Sequence, residues 1–310
     1  MTSIGVIGQG FVGGSLTTVF SERGFDVYAY DKAGKYAKNA LPCHGDPVAG
    51  YPESIMELIH DNEDGGTPGF SNVYFVCLPT PMCEDGSADL SIVEGALEEL
   101  AAVPGERIAV VKSTVPPGSV ERWNKRFLES GLRIIFNPEF LTEANALDDM
   151  RNQTRIVLGG PRPWINKVKQ IFQSAFPKVP IIKTSSTTAE MVKYLTNNFL
   201  TVKVAFANEM AQVCEALDNS GLNVDYDKVV EYAKYDKRLG ESHWAVPGPD
   251  GHRGYGGSCL CKDINAMISV SKNLDVDSKV MQAAWDKNLE VRPERDWEKL
   301  IGRAVSNKKQ

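Results

Sequence analysis

Cys259 stands where a glycine-rich loop gives way to an apolar-periodic segment, in the run GYGGSCLCKD at residues 254–263. The positive end of a helix dipole and the neighbouring Lys262 would both favour the thiolate form of a cysteine at this position. The position therefore predicts a nucleophile. The alternative is that Cys259 is a small buried filler, the commonest fate of a free cysteine, although the flanking glycines and charged residues favour exposure.

Polar residues four apart in the sequence share one face of a helix. Pro138 suits the first turn of a helix, so we expect Glu139 to open one. For Lys193, the spacing alone leaves a functional role and a solvated surface role equally open. The candidate pairs at this spacing are Glu139 with Glu143, Lys193 with Asn197, and Cys259 with Asp263.

A second run, IGVIGQGFVG at residues 4–13, predicts a strand, a phosphate-binding turn and a helix. Gly8 would permit the tight turn, Gly10 would let the backbone approach a pyrophosphate, and Gly13 would let helix and strand pack closely. Asp31, at the end of the next predicted strand, would accept hydrogen bonds from ribose hydroxyls, which favours NAD over NADP. This preference is softened by the nearby Lys32 and Lys35. FAD is the main alternative ligand. The alternative to a dinucleotide site is that the motif is simply a glycine-rich turn in another kind of α/β protein.

The elements around these residues alternate short β-branched runs with helical patterns, which predicts a doubly wound, Rossmann-like parallel sheet. Helical patterns include 90–102 and 119–130. The predicted strands are 4–7, 27–30, 73–78, 108–112, 134–136, 156–158 and 181–184.

After Lys183 the pattern becomes entirely helical. Thr187 and Glu190 have the spacing of a capping box, and an uninterrupted helical pattern runs from them to about Leu217. Further helices are predicted at 226–234, at 264–272 and, as a long helix, from about Ser278. We therefore predict two domains, an α/β nucleotide-binding domain at 1–185 and an all-helical domain at 186–310.

The composition of the chain excludes several classes of partner. The 310 residues carry a net charge of −6, which argues against binding to nucleic acid or an anionic membrane. No apolar run reaches the roughly 20 residues of a membrane span and the N-terminal residues lack a signal-peptide pattern, so we expect a cytoplasmic protein with reduced cysteines. Cys259 and Cys261 with His252 could be a fragment of a metal site, but no second ligand pair has zinc-site spacing, so no metal is expected.

The whole set of motifs resembles the nucleotide-sugar 6-dehydrogenases, the family of UDP-glucose and GDP-mannose dehydrogenases. Eight collinear motifs carry the resemblance, which covers nearly the whole chain, and Lys112 before STVPPG is more similar to the UDP-glucose branch. The motifs are GQGFVG (8–13), CLPTP (77–81), KSTVPPGS (112–119), NPEFLTEANALDD (137–149), RIVLGG (155–160), AEMVKYLTNNFLTVKVAFANE (189–209), DKRLG (236–240) and GYGGSCLCKD (254–263).

The resemblance implies that NAD oxidises a primary alcohol at sugar C6 twice, giving a uronate as in polysaccharide biosynthesis. The residue matching Cys259 would capture the aldehyde as a thiohemiacetal, which becomes a thioester and is hydrolysed. Lys193 and Asn197 would stabilise the oxyanion, and Asp263 would assist proton transfer through water. The residues expected to hold water and the reacting groups in line are Thr114, Glu139 and Glu143.

The resemblance also assigns contact residues. Those expected to bind the sugar nucleotide are Glu139, Phe140, Leu141, Glu143, Lys193, Asn197, Gly256 and Cys259. Those expected to bind NAD are Gly8, Gly10, Phe11, Val12, Gly13, Asp31, Lys35, Pro79, Thr80, Thr114, Glu143 and Lys262.

The sequence departs from the family pattern at Ala144, where Gly is usual, and at Cys261, where Pro is usual. The loop before Cys259 is longer than usual by about residues 250–253. Family members normally carry a third, C-terminal domain that completes nucleotide binding, and we expect the 310 residues not to include it. The absence of that domain would weaken substrate binding, unless a partner chain or the lengthened loop supplies contacts such as His252 or Arg253.

Two other functions stay open at the sequence level. The Lys193 and Asn197 spacing also resembles the β-hydroxyacid dehydrogenases, which perform one two-electron oxidation without a cysteine. A non-catalytic NAD-binding subunit is the third interpretation. The apolar residues of the long predicted helix permit a homodimer, with domain core as the plainer explanation; they are Met191, Leu195, Phe199, Val202 and Phe206.

Overall fold

The computed structural model describes residues 2–34, 49–65 and 72–307. The chain divides into two compact units, Met1–Thr80 with Leu90–Lys193, and Pro81–Asp89 with Tyr194–Gln310. This division differs from the predicted domains 1–185 and 186–310 in two places. The segment Pro81–Asp89 belongs to the second unit, and the later boundary falls after Lys193, inside a helix rather than before it.

The first unit contains a seven-stranded sheet with the strand order β2-β1-β3-β4-β5-β6-β7. Each strand coincides with a β-branched run from which it was predicted. Strands β1, β3 and β4 are buried throughout, as expected for parallel strands covered on both faces. The strands are β1 (Ser3–Ile7), β2 (Asp26–Tyr30), β3 (Val73–Val76), β4 (Arg107–Val111), β5 (Leu132–Phe136), β6 (Ile156–Gly159) and β7 (Ile181–Thr184).

Helices pack on both faces of this sheet, which confirms the doubly wound fold. The helices of the first unit are α1 (Phe11–Glu22), α2 (Ile55–Gly65), α3 (Ser91–Ala102), α4 (Ser119–Arg126), α5 (Ala146–Arg151) and α6 (Trp164–Ala175). One apolar cluster joins the sheet to α1, α5 and α6 through residues such as Phe20 and Phe172. The other joins it to α2, α3 and α4 through residues such as Leu97 and Trp123.

The prediction that all strands are parallel is wrong at one pairing, because β5 and β6 are antiparallel. The remaining pairs are parallel. Between β5 and β6 the chain forms a short 3₁₀ turn, Glu143–Asn145, and the six-residue helix α5. A helix of that length is about 9 Å long, which is too short to return the chain along a strand of about 17 Å.

The second unit is helical apart from short bridges. Helix α7 (Ser186–Asn219) begins in the first unit and continues into the second, where it is followed by α8 (Tyr226–Ala233), α9 (Leu260–Asn273) and α10 (Lys279–Val291). A small core joins α7, α9 and α10 around Cys261, Ile264 and Trp297. The helices predicted at 226–234 and 264–272 are confirmed. The helix predicted from about Ser278 ends at Val291, two residues before Pro293.

The segment Pro81–Asp89 pairs with the end of the described chain. The Met82 amide donates to the Ala304 carbonyl (2.8 Å), and the Ser306 amide donates to the Met82 carbonyl (2.8 Å). The Ser306 hydroxyl donates to Asp89 Oδ2 (2.7 Å). This pairing accounts for the place of the segment in the second unit.

The predicted capping box at the start of α7 is wrong. The Ser185 hydroxyl accepts the Thr188 amide hydrogen instead (3.2 Å). Glu190 is fully buried, and its carboxylate accepts the amide hydrogens of Gly118 (2.6 Å) and Val120 (2.9 Å). Burial raises the pKa of Glu190. Glu190 therefore caps helix α4, whose N-terminal amides have no partner within their own helix.

Among residues 2–34, 49–65 and 72–307, no helix is long and apolar enough to cross a membrane. In the same ranges no three side chains of His, Cys, Asp or Glu are grouped as metal ligands.

Candidate functional site

The turn after β1 has the shape that its glycines predict. Gly8 has a φ of +90°, and a side chain there would lie 2.5 Å from the Cys77 carbonyl oxygen. A Cβ at Gly13 would lie 1.8 Å from the Gly8 carbonyl oxygen. The first and third glycines are therefore required by the turn and by the packing of helix α1 on β1.

Gly10 is different, because a Cβ there would meet no atom within 4 Å. It is the N-cap of α1, where no side chain caps the first amides and the first turn holds no acidic residue. Phe11 is exposed and Val12 is half-buried beside it. Open space at a helix N terminus fits the pyrophosphate of a dinucleotide, which needs amide donors and close backbone approach.

Asp31 follows the last residue of β2, as predicted. Its Oδ2 accepts the Gln9 amide hydrogen within the glycine turn (2.7 Å), and its Oδ1 accepts the Ala33 amide hydrogen (2.8 Å). The carboxylate is thus held beside the turn, in the place where an acid contacts a ribose. Lys35 lies outside the described residues.

The carboxyl ends of β3 and β4 are joined by side-chain hydrogen bonds. The buried Thr80 hydroxyl donates to the Thr114 carbonyl (2.8 Å), and the Ser113 hydroxyl accepts the Leu78 amide hydrogen (2.9 Å). Pro79 is exposed. Since β1 lies between β2 and β3, the strand order reverses between β1 and β3, so the end of β3 borders the point where doubly wound folds bind ligands.

Glu139 and Lys193 form a buried ion pair. The Lys193 ammonium donates to Glu139 Oε1 (2.7 Å) and to the Glu139 carbonyl oxygen (2.8 Å). Burial alone would raise the pKa of Glu139, but the Lys193 charge and hydrogen bond outweigh it and hold that pKa below its ordinary value. The interpretation of Lys193 as a solvated lysine is wrong, and sequence spacing gave no sign of this pair, which joins residues 54 apart.

The predicted helix at Glu139 is also wrong. Residues 137–142 are non-helical and continue from β5, with the Asn137 amide bonded to the Val111 carbonyl (2.9 Å). Glu143 lies in the 3₁₀ turn and is exposed, so the two glutamates do not share a helix face. Phe140 and Leu141 are half-buried between them, and the Glu139 carboxylate accepts the Leu141 amide hydrogen (2.7 Å).

Three contacts in this region were not predicted. Lys112 is buried and donates to Asn137 Oδ1 (2.7 Å), while Asn137 Nδ2 donates to the Val157 carbonyl (2.8 Å). Burial lowers the pKa of Lys112 to about 8 and raises the pKa of Cys77 to about 12. The Arg155 guanidinium stacks 3.9 Å from the centre of the Phe140 ring. The only signal for Lys112 was its place in the STVPPG motif.

Cys259 is exposed and is the N-cap residue of α9. The interpretation of this cysteine as buried filler is therefore wrong. The Cys259 carbonyl accepts the Asp263 amide hydrogen (3.1 Å), so the two residues lie one helical turn apart as predicted. Cys261 is buried, and burial raises its pKa well above the ordinary value. Only the first of these two thiols is placed to react.

Asp263 is buried one turn into α9 and is held by two donors. Asn197 Nδ2 donates to Asp263 Oδ2 (2.6 Å), and Lys262 Nζ donates to Asp263 Oδ1 (2.5 Å). Asn197, Lys262 and Asp263 are thus brought together in the second unit. A Cβ at Gly256 would lie 2.4 Å from the Arg292 guanidinium, so a side chain there would require that guanidinium to move.

Residues 2–176 match the model of the UDP-glucose/GDP-mannose dehydrogenase family NAD binding domain, and residues 187–290 match that of its central domain. A UDP-glucose 6-dehydrogenase of Rickettsia bellii is 32% identical over 304 residues, covering 93% of this chain and 67% of the relative. The chain spans 64% to 70% of the length of the curated relatives it matches.

Solved structures agree with this match. A UDP-glucose dehydrogenase from Pyrobaculum islandicum superposes with a TM-score of 0.77 at 29% identity, covering 97% of this chain and 70% of that one. A 3-hydroxyisobutyrate dehydrogenase from Mycobacterium tuberculosis shares the fold at 17% identity, with a TM-score of 0.69 and 95% of each chain covered.

NAD is thus the cofactor of the first unit, whose glycine turn and Asp31 fit it. With both family models matched in order along the sequence, the chain belongs to the UDP-glucose/GDP-mannose dehydrogenase family.

Proposed function

We propose that this protein oxidises the C6 hydroxyl of a nucleotide sugar to the carboxylate, with UDP-glucose as substrate and UDP-glucuronate as product. The observation that carries the proposal is the exposed Cys259 at the N terminus of α9, one turn from an Asp263 that is fixed by two donors. A four-electron oxidation needs the intermediate aldehyde to be held covalently, and an exposed thiolate can form that bond.

In the proposed reaction the C6 hydroxyl loses a proton and a hydride to give an aldehyde. The Cys259 thiolate adds to the carbonyl carbon, forming a C–S bond and, after protonation of the oxygen, a thiohemiacetal. Loss of a second hydride from C6, together with loss of the hydroxyl proton, gives the thioester. Water then cleaves the C–S bond, releasing the acid and the thiol. When bound, NAD supplies the hydride acceptor, and two NAD⁺ are reduced for each sugar.

In the first unit we assign oxyanion stabilisation to Lys193. Its ammonium is fixed by Glu139, whose low pKa keeps the carboxylate ionised beside it. A preorganised donor of this kind is worth on the order of 3 kcal/mol of transition-state stabilisation. Thr114 and Glu143 are assigned to the alignment of water and the reacting groups.

In the second unit we assign a second oxyanion donor to the Asn197 amide, which is oriented by its bond to Asp263. Asp263 would move a proton through water, and its two hydrogen bonds hold the carboxylate in one orientation. The further contacts proposed for the sugar are Phe140, Leu141 and Gly256. Those proposed for NAD are Gly8, Gly10, Phe11, Val12, Gly13, Asp31, Lys35, Pro79, Thr80, Thr114, Glu143 and Lys262.

The yield of NADH per sugar nucleotide consumed tests the reaction. UDP-glucose, the UDP-N-acetylhexosamines and GDP-mannose should each be offered to the purified protein. We expect two NADH for each UDP-glucose. A yield of one would support the β-hydroxyacid dehydrogenase type of reaction, and NAD binding without turnover on any of these substrates would support a non-catalytic subunit.

Cys259→Ser tests the covalent step, because a serine hydroxyl is not ionised near neutral pH. We expect complete turnover to fall by on the order of a thousandfold or more. The matched control is Cys83→Ser, which removes a half-buried thiol of the same unit and should leave turnover unchanged. Undiminished acid production by Cys259→Ser would reject the covalent role.

We further propose that the protein is a homodimer that pairs through helix α7. Leu195, Phe199 and Phe206 are at helical spacing on α7 and are 70%, 65% and 52% exposed, so they do not form domain core. Val213 and Leu217 extend the same exposed apolar face. A contiguous apolar face of this length is typical of an interface between copies of one chain.

The oligomeric state in solution tests the dimer. Light scattering coupled to size exclusion should give the dimer mass for the wild-type protein and the monomer mass for Phe199→Glu. Tyr235→Glu, which changes an exposed aromatic residue outside α7, should remain dimeric. A monomeric wild-type protein at micromolar concentration would contradict the proposal.

A further inference from the structure

The loop that leads into Cys259 is held by side chains of α7 and α10. Asn288 of α10 is fully buried; its Oδ1 accepts the Tyr255 amide hydrogen (2.7 Å), and its Nδ2 donates to the Tyr255 carbonyl (3.0 Å). Asn208 of α7 accepts the Gly254 amide hydrogen (3.2 Å). These bonds fix the backbone of the loop four to five residues before the thiol.

Arg292, one residue past the end of α10, connects both ends of this loop to the chain beyond α10. Its Nη2 donates to Asp250 Oδ2 (2.7 Å), its Nη1 to the Arg253 carbonyl (3.3 Å) and its Nε to Asp296 Oδ1 (2.6 Å). Only 3% of Arg292 is exposed. Burial opposes its charge, but the hydrogen bonds to Asp296 and Asp250 outweigh burial and raise the pKa of Arg292.

Asp296 transmits this contact to the residues next to Cys259. Its Oδ2 accepts the Gly257 amide hydrogen (3.1 Å) while its Oδ1 is held by Arg292. A Cβ at Gly256 would lie 2.4 Å from Arg292 Nη2 and 2.6 Å from Asp296 Oδ1. The buried ion pair is therefore packed directly against the backbone that precedes Ser258 and Cys259.

Two other side-chain pairs reach the same loop but lie at the surface. His252 pairs with Glu294 (2.9 Å) and Arg253 pairs with Glu215, and each of these pairs includes a side chain that is more than half exposed. Exposed pairs contribute little to conformational stability, whereas a buried, multiply bonded guanidinium fixes its partners. Among the described pairs that reach the loop, the buried contact of Arg292 with Asp250 and Asp296 is thus the one suited to set its conformation.

We propose that Arg292 is a positioning residue that, by bridging Asp250 and Asp296, fixes the direction of the Cys259 thiol at the N terminus of α9. The proposal rests on the nucleophilic role proposed for Cys259. Displacement of a reacting group by about 1 Å can cost on the order of a hundredfold in rate, so the support of the thiol matters as much as its presence. Asp250 lies in the part of the loop that exceeds the usual family pattern.

The test follows the loop and the thiol directly, without turnover. Hydrogen exchange of the peptide 250–259 and alkylation of Cys259 by iodoacetamide from pH 6 to 10, read by mass spectrometry, should be compared for wild type, Arg292→Gln, Arg292→Lys and Asp250→Asn. Arg295→Gln is the matched control, because it makes the same substitution three residues away, at an exposed side chain.

We expect exchange of the loop amides at least tenfold faster in Arg292→Gln. Cys259 is already exposed, so a looser loop would give iodoacetamide little further access to the thiol. We instead expect alkylation of Cys259 at pH 7 to slow at least threefold, and the curve of alkylation rate against pH to move to higher pH. Arg292→Lys keeps the charge but lacks the several donors of the guanidinium, so its loop exchange and its alkylation should lie between those of wild type and Arg292→Gln. Arg295→Gln should match wild type.

The proposal is overturned if folded Arg292→Gln has the wild-type exchange and alkylation profiles. If Arg292→Gln does not fold, Asp250→Asn decides, because its carboxylate is half-exposed and the substitution keeps its size; wild-type exchange in that variant overturns the proposal. A protein that oxidises no nucleotide sugar would refute the proposed function while leaving these two measurements valid. In an active enzyme, kcat of Arg292→Gln should fall about tenfold or more with KM for NAD unchanged.

Discussion

The two glycine-rich segments of this protein, Gly8–Gly13 and Gly254–Gly257, each lead into a helix, but they are held in different ways. The first is fixed mainly by backbone contacts with its own strand and with the neighbouring strands, and Asp31 adds a side-chain acceptor for the Gln9 amide. The second is held mainly by the side chains of Asn288 and Arg292, which bond to residues 33 and 42 positions earlier in the chain. A turn built mainly from backbone can be recognised from a short motif, whereas a loop held by distant side chains cannot.

The buried cations near the two segments differ in the same sense. Lys112 donates to a neutral group, the side-chain amide of Asn137, and burial lowers its pKa to about 8. Arg292 has two carboxylates, and its pKa is raised. Lys112 is thus held by a neutral partner, whereas Arg292 is held by two charged ones.

Gly13→Ala should have the largest effect on stability. The new Cβ would lie 1.8 Å from the Gly8 carbonyl oxygen, which is backbone and cannot move aside. We expect the free energy of unfolding to fall by about 3 kcal/mol or more and NAD binding to be lost, measured by denaturation and calorimetry. Gly14→Ala is the control: its nearest atom is 3.7 Å away, and it should be neutral or gain up to about 1 kcal/mol. Equal stability of the two variants would contradict the rigid turn.

Lys112→Met should change how the unfolding free energy depends on pH, because it removes a buried lysine. The unfolded side chain titrates near 10.5 and the folded one near 8, so between these values the unfolded state binds more protons and wild-type stability rises with pH. We expect the difference in unfolding free energy between wild type and Lys112→Met to move by about 2 kcal/mol in favour of wild type from pH 8 to 10. Lys125→Met, at an exposed site, should show no such slope. The same measurement on Arg292→Gln should also be flat, and a slope there would break the contrast between the two cations.

Gly256→Ala should cost less stability than Gly13→Ala, because the atoms in the way are the ends of Arg292 and Asp296 side chains. We expect a loss of about 1 kcal/mol in unfolding free energy, accompanied by a fall of about tenfold in turnover as the loop shifts. Denaturation and steady-state kinetics measure the two quantities. A loss of stability equal to that of Gly13→Ala would show that the loop is as rigid as the turn.

Gly10→Ala should have the smallest effect on the fold. Its φ of −74° suits any residue, and no atom lies within 4 Å of the added methyl group. We expect the unfolding free energy to change by less than about 0.5 kcal/mol, while the dissociation constant for NAD, measured by calorimetry, rises about tenfold. Unchanged NAD affinity would mean that the pyrophosphate does not pass over Gly10.

Sequence patterns predicted what local chemistry determines. All seven strands, the glycine turn, the place of Asp31 and the helix that begins behind Cys259 follow from periodicity and from the needs of a tight turn. The pairs Glu139 with Lys193 and Asn197 with Asp263 join residues far apart in the chain, so only the fold brings them together. The non-helical course after Pro138 was missed because the chain there continues from the end of a strand. The cap by Glu190 was missed because its carboxylate bonds to the amides of a helix about 70 residues earlier, whereas the local rule assigned it to its own helix.

The membership of Pro81–Asp89 in the second unit has a practical consequence for dissecting this protein. The polypeptide passes from one unit to the other three times, after Thr80, after Asp89 and after Lys193. A single cut cannot separate the units, since truncation after Lys193 would strand the amide and carbonyl of Met82 without their partners at Ala304 and Ser306. An isolated cofactor-binding fragment would have to be made by deleting Pro81–Asp89 and rejoining residues 80 and 90 with a designed linker.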